Sequence, residues 1–290
     1  RKQIHYSRAE KEQLTGYHIG VGVLDSGIFP HEDLKDQIRA FRDFTNKYQL
    51  PYDETGHGTH VCGILAGNGR VLHGKYKGMA PCCDLYVGKI LNKRGEGSLK
   101  TLLRGLQWLL SIAESCNIRV INISVSSIAS ASPEEQRKLY ELFQYAYENN
   151  ILIVTAAGNF GPGDNTISRL GDTPYVICVG CHDGDLENGG LRCQDCSGRG
   201  PGENVWKKPD VVAPGTQIIS CQAAYGKYVA RSGTSMATPI VSGLLALAWE
   251  KYPYLNAMQL KRKLILSATD LGESYLMQGA GMVDVEKMLS

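Results

Sequence analysis

Ile151-Leu152-Ile153-Val154-Thr155-Ala156-Ala157 is an almost unbroken apolar run. A strand with one wet face alternates polar and apolar residues. A run without that alternation belongs to a strand covered on both faces, which is the habit of parallel sheets. Upstream, residues 133–149 read as a helix, with Ser132 placed to cap it and Pro133 suited to its first position. Residues 118–124 (IRVINIS) are rich in β-branched side chains and read as a strand. Residues 99–114 carry apolar side chains at 99, 102, 103, 106, 109, 110 and 113, the spacing of a helix face, behind a Ser98 cap. Residues 19–24, 85–91 and 175–180 read as further strands, and residues 61–66, 234–252 and 256–267 as helices. Strands alternating with helices imply an α/β fold of three layers, α/β/α, with a mostly parallel central sheet. No repeat, low-complexity segment or dividing linker interrupts the chain, so residues 1–290 are expected to form a single domain.

The composition narrows the function. A net charge of +2 with 21% charged residues gives no concentrated basic face, so no nucleic-acid partner is expected. No apolar run approaches the ~20 residues of a membrane-spanning helix. The chain starts Arg-Lys-Gln-Ile-His without the apolar segment of a signal peptide. The expectation is a bacterial-type cytoplasmic protein or the mature form of a secreted one, with the compartment left open. Nine cysteines (62, 82, 83, 116, 178, 181, 193, 196 and 221) make an odd count, so at least one thiol has no partner within the chain. The expectation is buried reduced thiols, with one or two disulfides as the alternative. Cys178-x2-Cys181 and Cys193-x2-Cys196 have the look of a zinc pair. The spacing between them is short, however, and Cys178 falls inside an expected buried strand. No metal and no cofactor are expected.

In a sheet of this kind, active sites gather beyond the carboxyl ends of the strands. Four segments put reactive side chains there or at the start of a helix. Val21-Gly-Val-Leu-Asp25-Ser-Gly27 ends a strand with an acid. Gly56-His57-Gly58-Thr59-His60-Val61 starts a helix with an imidazole. Thr155-Ala-Ala-Gly-Asn159 sets an amide just past a buried strand. Ser232-Gly233-Thr234-Ser235-Met236-Ala237-Thr238-Pro239 starts the longest apolar helix with a hydroxyl. Together they hold what peptide-bond cleavage requires. A serine hydroxyl needs a nearby base to take its proton. A carboxylate fixes the base's tautomer and steadies its cation. An amide, with a backbone N–H at a helix N-terminus, can donate to the developing oxyanion. Singly, each has a plain structural reading: a turn aspartate, a capping serine, or two histidines at i, i+3 acting as metal ligands. Four ordered blocks at the ends of the expected elements favour the catalytic reading.

These blocks resemble the signature segments of the subtilisin-like serine proteases, in that family's order of Asp, His, Ser, and the likeness runs from about Gly16 to the last helices. It implies a serine endopeptidase working through an acyl-enzyme. Asp25 would orient, His57 act as base, Ser235 as nucleophile and Asn159 as oxyanion donor, with the imidazole in reach of both Asp25 and the Ser235 hydroxyl. His60 would pack beneath the site. The resemblance also implies that an extended substrate pairs between Gly95-Glu96-Gly97 and Ser124-Val125-Ser126, with Ala156, Phe160 and Ser168 lining the first specificity pocket. Where the family usually has glycine, this chain has Ser126 and Ser127, whose added Cβ atoms would narrow the pocket mouth and favour restricted processing over broad cleavage. Arg169, beside that pocket, reads better as a solvated surface residue than as an anchor for acidic substrates. Residues 67–78, where secreted relatives often carry a calcium loop, are basic and poor in oxygen ligands, so the pattern lies closer to intracellular-type bacterial subtilases. The partners expected are polypeptide substrates and an N-terminal propeptide or inhibitor not present in this chain, with the enzyme a monomer.

Other readings fall away. Gly69-x4-Gly74-Lys75 mimics a phosphate loop, but Tyr76 stands where a magnesium-binding hydroxyl belongs. No G-x-S-x-G elbow exists, which removes a lipase-type hydrolase. A binding scaffold that had lost its chemistry would lack one of the four residues, and none is missing.

Overall fold

The computed structural model describes residues 1–46, 48–125, 132–184, 192–201 and 206–290. Seven strands form one parallel sheet: β1 (Gly20–Asp25), β2 (Ile38–Asp43), β3 (Asp84–Lys89), β4 (Ile118–Ile123), β5 (Leu152–Ala156), β6 (Val176–Cys181) and β7 (Val211–Ala213). Their order is β2-β3-β1-β4-β5-β6-β7. β1, β5 and β6 are buried along their whole length, as their continuous apolar runs require. A hairpin of β8 (Ile218–Cys221) and β9 (Tyr228–Arg231) stands apart from this sheet.

The helices among the described residues are α1 (Ser7–Lys11), α2 (His57–Ala66), α3 (Leu99–Ile112), α4 (Pro133–Glu148), α5 (Cys193–Cys196), α6 (Thr234–Lys251), α7 (Ala257–Ser267), α8 (Tyr275–Gln278) and α9 (Val285–Met288). The expected caps form. Ser98 Oγ accepts from Thr101 N at 3.2 Å, and Ser132 Oγ from Glu135 N at 3.2 Å. Two cores lie on opposite faces of the sheet. On one face, Leu102, Leu106 and Leu109 of α3 and Phe143 of α4 are completely buried. Each such leucine stabilises the fold by about 2 kcal/mol relative to exposure. The other face holds α2 and α6. α6 is apolar nearly all round because the sheet lies on one side of it and α2 on another. The three layers are those expected from the sequence.

Three pieces were not expected. β2 reads Ile-Arg-Ala-Phe-Arg-Asp, and its charges belong to a half-exposed edge strand. β7 is only three residues long. The β8–β9 hairpin is half exposed and weakly patterned.

The strand order reverses at β1. The chain leaves it toward β3 and β2 on one side and toward β4 to β7 on the other. Adjacent carboxyl ends at such a point open a crevice between their diverging connections. Asp25 closes β1 there, and Ser124 follows β4 there.

Candidate active site

Asp25 is fully buried at the end of β1. Its Oδ1 accepts from the backbone N–H of Ser26 at 2.7 Å and pairs with His57 Nδ1 at 2.7 Å. Among the described residues, its buried Oδ2 has no hydrogen-bond partner. His57 is the first residue of α2, with a partly exposed side chain. Burial lowers the pKa of this imidazole. The charge of Asp25 and its hydrogen bond outweigh that and hold it above the usual 6.5.

The His57 helix sits tightly on the turn that follows β1. A Cβ on Gly58 would lie 2.1 Å from the carbonyl oxygen of Gly27, so only glycine fits at that contact. Asp53 joins the same two elements from outside the quoted blocks. Its Oδ1 accepts from Ser26 Oγ (2.8 Å) and Gly56 N (2.9 Å), and its Oδ2 from Thr59 N (2.8 Å) and Thr59 Oγ1 (2.6 Å). Ser26 Oγ in turn accepts from Gly58 N at 2.9 Å. An acid at a helix N-terminus meets free N–H groups and a favourable dipole, so Asp53 fixes the start of the His57 helix.

Beneath the turn lies Lys89, paired in register with Asp25 and completely buried. Its ammonium donates to the carbonyls of Ser26 (2.6 Å) and Leu91 (2.8 Å) and faces Glu54 Oε2 at 3.4 Å. A buried cation without such partners would be very costly. His60 is buried as expected. Its Nε2 lies 3.0 Å from the carbonyls of both Ile218 and Val229, so that nitrogen carries the proton. Burial pushes its pKa down to about 4, and it stays neutral as a tie between α2 and the hairpin.

Ser235 is the second residue of α6, where backbone N–H groups have no partner within the helix. Gly233 precedes the helix at φ 137°, a conformation that side chains disfavour. The structure departs from expectation at the hydroxyl. Among the described residues, Ser235 Oγ makes no hydrogen bond to His57 and donates instead to the carbonyl of Ser124 at 2.7 Å. A change of χ1 rotamer is enough to redirect this hydroxyl. The Ser124 segment is itself braced. Ser242 Oγ donates to Asn122 Oδ1 at 2.8 Å, and Asn122 Nδ2 to Ser124 Oγ at 2.8 Å, a buried chain from α6 to the end of β4.

Asn159 lies three residues beyond β5. Its Oδ1 accepts from Thr234 N (3.0 Å) and Thr234 Oγ1 (3.1 Å). Two donors on the oxygen fix the orientation of the amide, so its NH2 remains available to another acceptor. An open cleft of about 400 Å³ is lined by His57 and Ser235, by Ser124 and Val125 on one side, and by Leu91, Lys93, Arg94 and Gly95 on the other. Gly97 bridges back to Leu91, and Glu96 is exposed on the same loop. Ala156 is buried at the end of β5, and Ser168 Oγ donates to its carbonyl at 2.6 Å. Phe160 is exposed nearby in sequence, and Arg169 is exposed as read. Ser126 and Ser127 lie outside the described residues.

The sequence blocks did not mark Asp53, Lys89, Asn122 or Arg231, whose Nη2 holds the Thr55 carbonyl at 3.0 Å. A signal existed for two of them. Asn122 interrupts a β-branched strand with a polar side chain, and Lys89 closes a strand that is otherwise apolar from Leu85 onward.

Cysteine chemistry departs in part from expectation. Cys181 and Cys193 are joined in a disulfide, where reduced thiols were expected. β6 brings Cys181 against the first residue of α5, which the sequence spacing could not reveal. The other seven are free, and Cys62, Cys83, Cys178 and Cys221 are buried. Among the described residues, two buried groups carry ligand-type atoms, His31-Asp33-Cys221 and Cys181-Asp183-Cys193. In the first, His31 Nε2 faces the Lys227 carbonyl at 3.1 Å, and Asp33 accepts from Val71 N at 3.0 Å. In the second, the sulfurs bond to each other, and Asp183 Oδ1 accepts from Gly215 N (3.1 Å) and Thr216 N (3.0 Å). The carboxylates and the His31 ring are thus engaged by groups of the chain itself.

A parallel α/β sandwich with an acid–imidazole pair and a helix-borne serine at one cleft, and an amide bonded to the residue before that serine, defines a hydrolase of the serine type. The model of the Subtilase family matches residues 16–283, and the chain belongs to that family. It is 35% identical to Serine protease AprX of Bacillus subtilis (strain 168) over 95% of this chain and 67% of AprX. It is 33% identical to the Intracellular serine protease of Paenibacillus polymyxa over 93% of this chain and 80% of that one. The solved structure of Sphericase superposes with a TM-score of 0.81 at 31% identity, covering 93% of this chain and 92% of Sphericase. The protein is a serine endopeptidase that acts on polypeptide substrates. Among the described residues, no helix is long and apolar enough to cross a membrane.

Proposed function

We propose that Asp25, His57 and Ser235 are the catalytic triad and Asn159 the oxyanion donor. The observation that carries this reading is the 2.7 Å bond from His57 Nδ1 to a buried Asp25, at the mouth of a cleft that Ser235 also lines. Asp25 holds the imidazole with Nε2 free to accept a proton. Ser235 Oγ leaves the Ser124 carbonyl, gives its proton to His57 and attacks the scissile carbonyl. Asn159 Nδ2 and the Ser235 N–H receive the oxyanion. His57 then protonates the leaving amine, and water hydrolyses the acyl-enzyme by the same steps in reverse order.

The substrate pairs as an extended strand with residues 95–97 and 124–126, with Ala156, Phe160 and Ser168 at the first side-chain pocket. The chain works as one catalytic domain and as a monomer, held silent by an N-terminal propeptide or a separate inhibitor in the same cleft. A fluorophosphonate probe is expected to label the enzyme stoichiometrically and to lose all labelling in Ser235→Ala. Turnover of that variant falls by roughly 10^6-fold, the size already familiar for subtilisin, a worked case from this same family. Undiminished labelling in Ser235→Ala would remove the proposal.

A further inference from the structure

We infer that the cleft selects polypeptides with an aspartate or glutamate on the acyl side of the scissile bond, and that Lys93 and Arg94 impose the choice. The inference rests on the catalytic reading above and adds the substrate's charge to it. Both residues line the cleft of about 400 Å³ beside His57 and Ser235. Both also line an adjoining hollow of about 640 Å³, together with Glu54 and Glu96, so the basic wall continues beyond the reaction centre.

What matters is which of these charges is already matched. Glu54 faces the buried ammonium of Lys89 at 3.4 Å. Glu96 accepts from Asn92 Nδ2 at 3.1 Å. Asp25, beneath the cleft, is bonded to His57. Among the described residues, the side chains of Lys93 and Arg94 have no carboxylate or hydrogen-bond partner. The neutral Asn92 amide leaves the charge of Glu96 in place, so two unpaired cations on this wall stand against one unpaired carboxylate; the balance is positive, and its complement is a carboxylate brought by the substrate.

The backbone that carries the two cations is held in place. Leu91 and Gly97 pair across the base of the loop, Asn92 N donates to the Glu96 carbonyl at 2.9 Å, and Asn92 Oδ1 accepts from Arg94 N at 2.8 Å and Glu96 N at 3.1 Å. Only side-chain freedom is lost when a substrate carboxylate arrives, which keeps the entropic cost of the contact low. The same loop carries Gly95-Glu96-Gly97, one edge of the proposed strand pairing. An acyl-side residue lying along it therefore passes the two cations, whereas Ala156 and Ser168 lie on the other side of Ser124.

Exposed ion pairs are individually weak and are screened by salt. The expected preference is about three- to tenfold in kcat/KM for Asp over Lys at the responsive position, at low salt. Internally quenched peptides carrying Asp, Ala or Lys at each of the three positions before a fixed cleavable bond test this, with the wild type and the variant Lys93→Glu/Arg94→Glu. The inference predicts that the Asp-to-Lys ratio exceeds one in the wild type, drops below one in the variant, and converges toward one in both at high salt. A ratio near one in the wild type, or one that charge reversal leaves unchanged, overturns it. If the peptides are cut without regard to charge while the fluorophosphonate still labels Ser235, this inference alone falls. If nothing is cut and nothing is labelled, the catalytic reading falls with it.

Discussion

On the floor of the cleft, Asp25, Asp53, His60, Lys89 and Asn122 are all buried, and apart from Asp25 Oδ2 and His60 Nδ1 their polar side-chain atoms have partners within the chain. On its rim, Lys93, Arg94, Gly95 and Glu96 stand in water. The two regions share a wall only a few residues apart, since Lys89 donates to the Leu91 carbonyl just before the rim begins. The floor is a network in which each group is another's partner, and loss of one leaves a buried group unsatisfied. The rim is a set of solvated groups whose changes are felt by what comes to it. Geometry for bond breaking is therefore held by burial, and discrimination between substrates is left where side chains can change without unfolding anything.

The sharpest test of the floor lies at its edge. Asn159→Ala should lower kcat by about 100- to 1000-fold with KM little changed, the range known for the matching subtilisin amide and borrowed from it. A rise in KM alone in steady-state kinetics would move Asn159 out of the oxyanion role. Next, Lys89→Met leaves the carbonyls of Ser26 and Leu91 without their donor and removes the partner of Glu54. A loss of about 3 kcal/mol in chemical denaturation is expected, because bonds to a buried charge are the strong ones. If Lys89→Met matches the wild type, the ammonium is not holding the floor.

A smaller effect lies in the pH profile. His57 must be neutral to accept a proton, and its pKa is held above 6.5 by Asp25 against the pull of burial. Activity should fall as pH drops through that raised value. In Asp25→Asn the two largest raising influences are gone and the desolvation remains, so the midpoint of the acid limb of kcat/KM moves down. A midpoint that stays put would mean another group sets the limb. The smallest effect belongs to the rim. Arg94→Ala should change stability by less than about 0.5 kcal/mol, as for surface sites without partners. A larger loss would erase the contrast between the two regions.

Much of this was legible in the chain itself. ILIVTAA announced a strand covered on both faces, and the leucines of α3 announced the face they bury. The four chemical blocks stand at strand ends and helix starts, where the sheet rule places a crevice. β2 was not legible because an edge strand needs only one good face, and its arginines hide the other. Asp53 was not legible because its role depends on where the turn after β1 meets α2, a long-range contact with no local pattern. The Cys181–Cys193 bond was hidden for the same reason. Ser235 lines the same cleft as His57, but the bond of its hydroxyl to the Ser124 carbonyl was not legible, since it joins α6 to the end of β4 through a long-range contact with no local pattern.

The close approach of Gly58 to the Gly27 carbonyl has a bearing on how such chains are recognised at all. Part of the GHGTHV signature records a steric fit between a helix and a turn, and a protein would keep that fit to stay folded even after its nucleophile had been lost. Retention of the glycine therefore reports shared architecture, and an inactive descendant would still announce its ancestry through it. Surveys that sort working enzymes from silent ones should weigh the Ser235 hydroxyl above the letters that the packing alone protects.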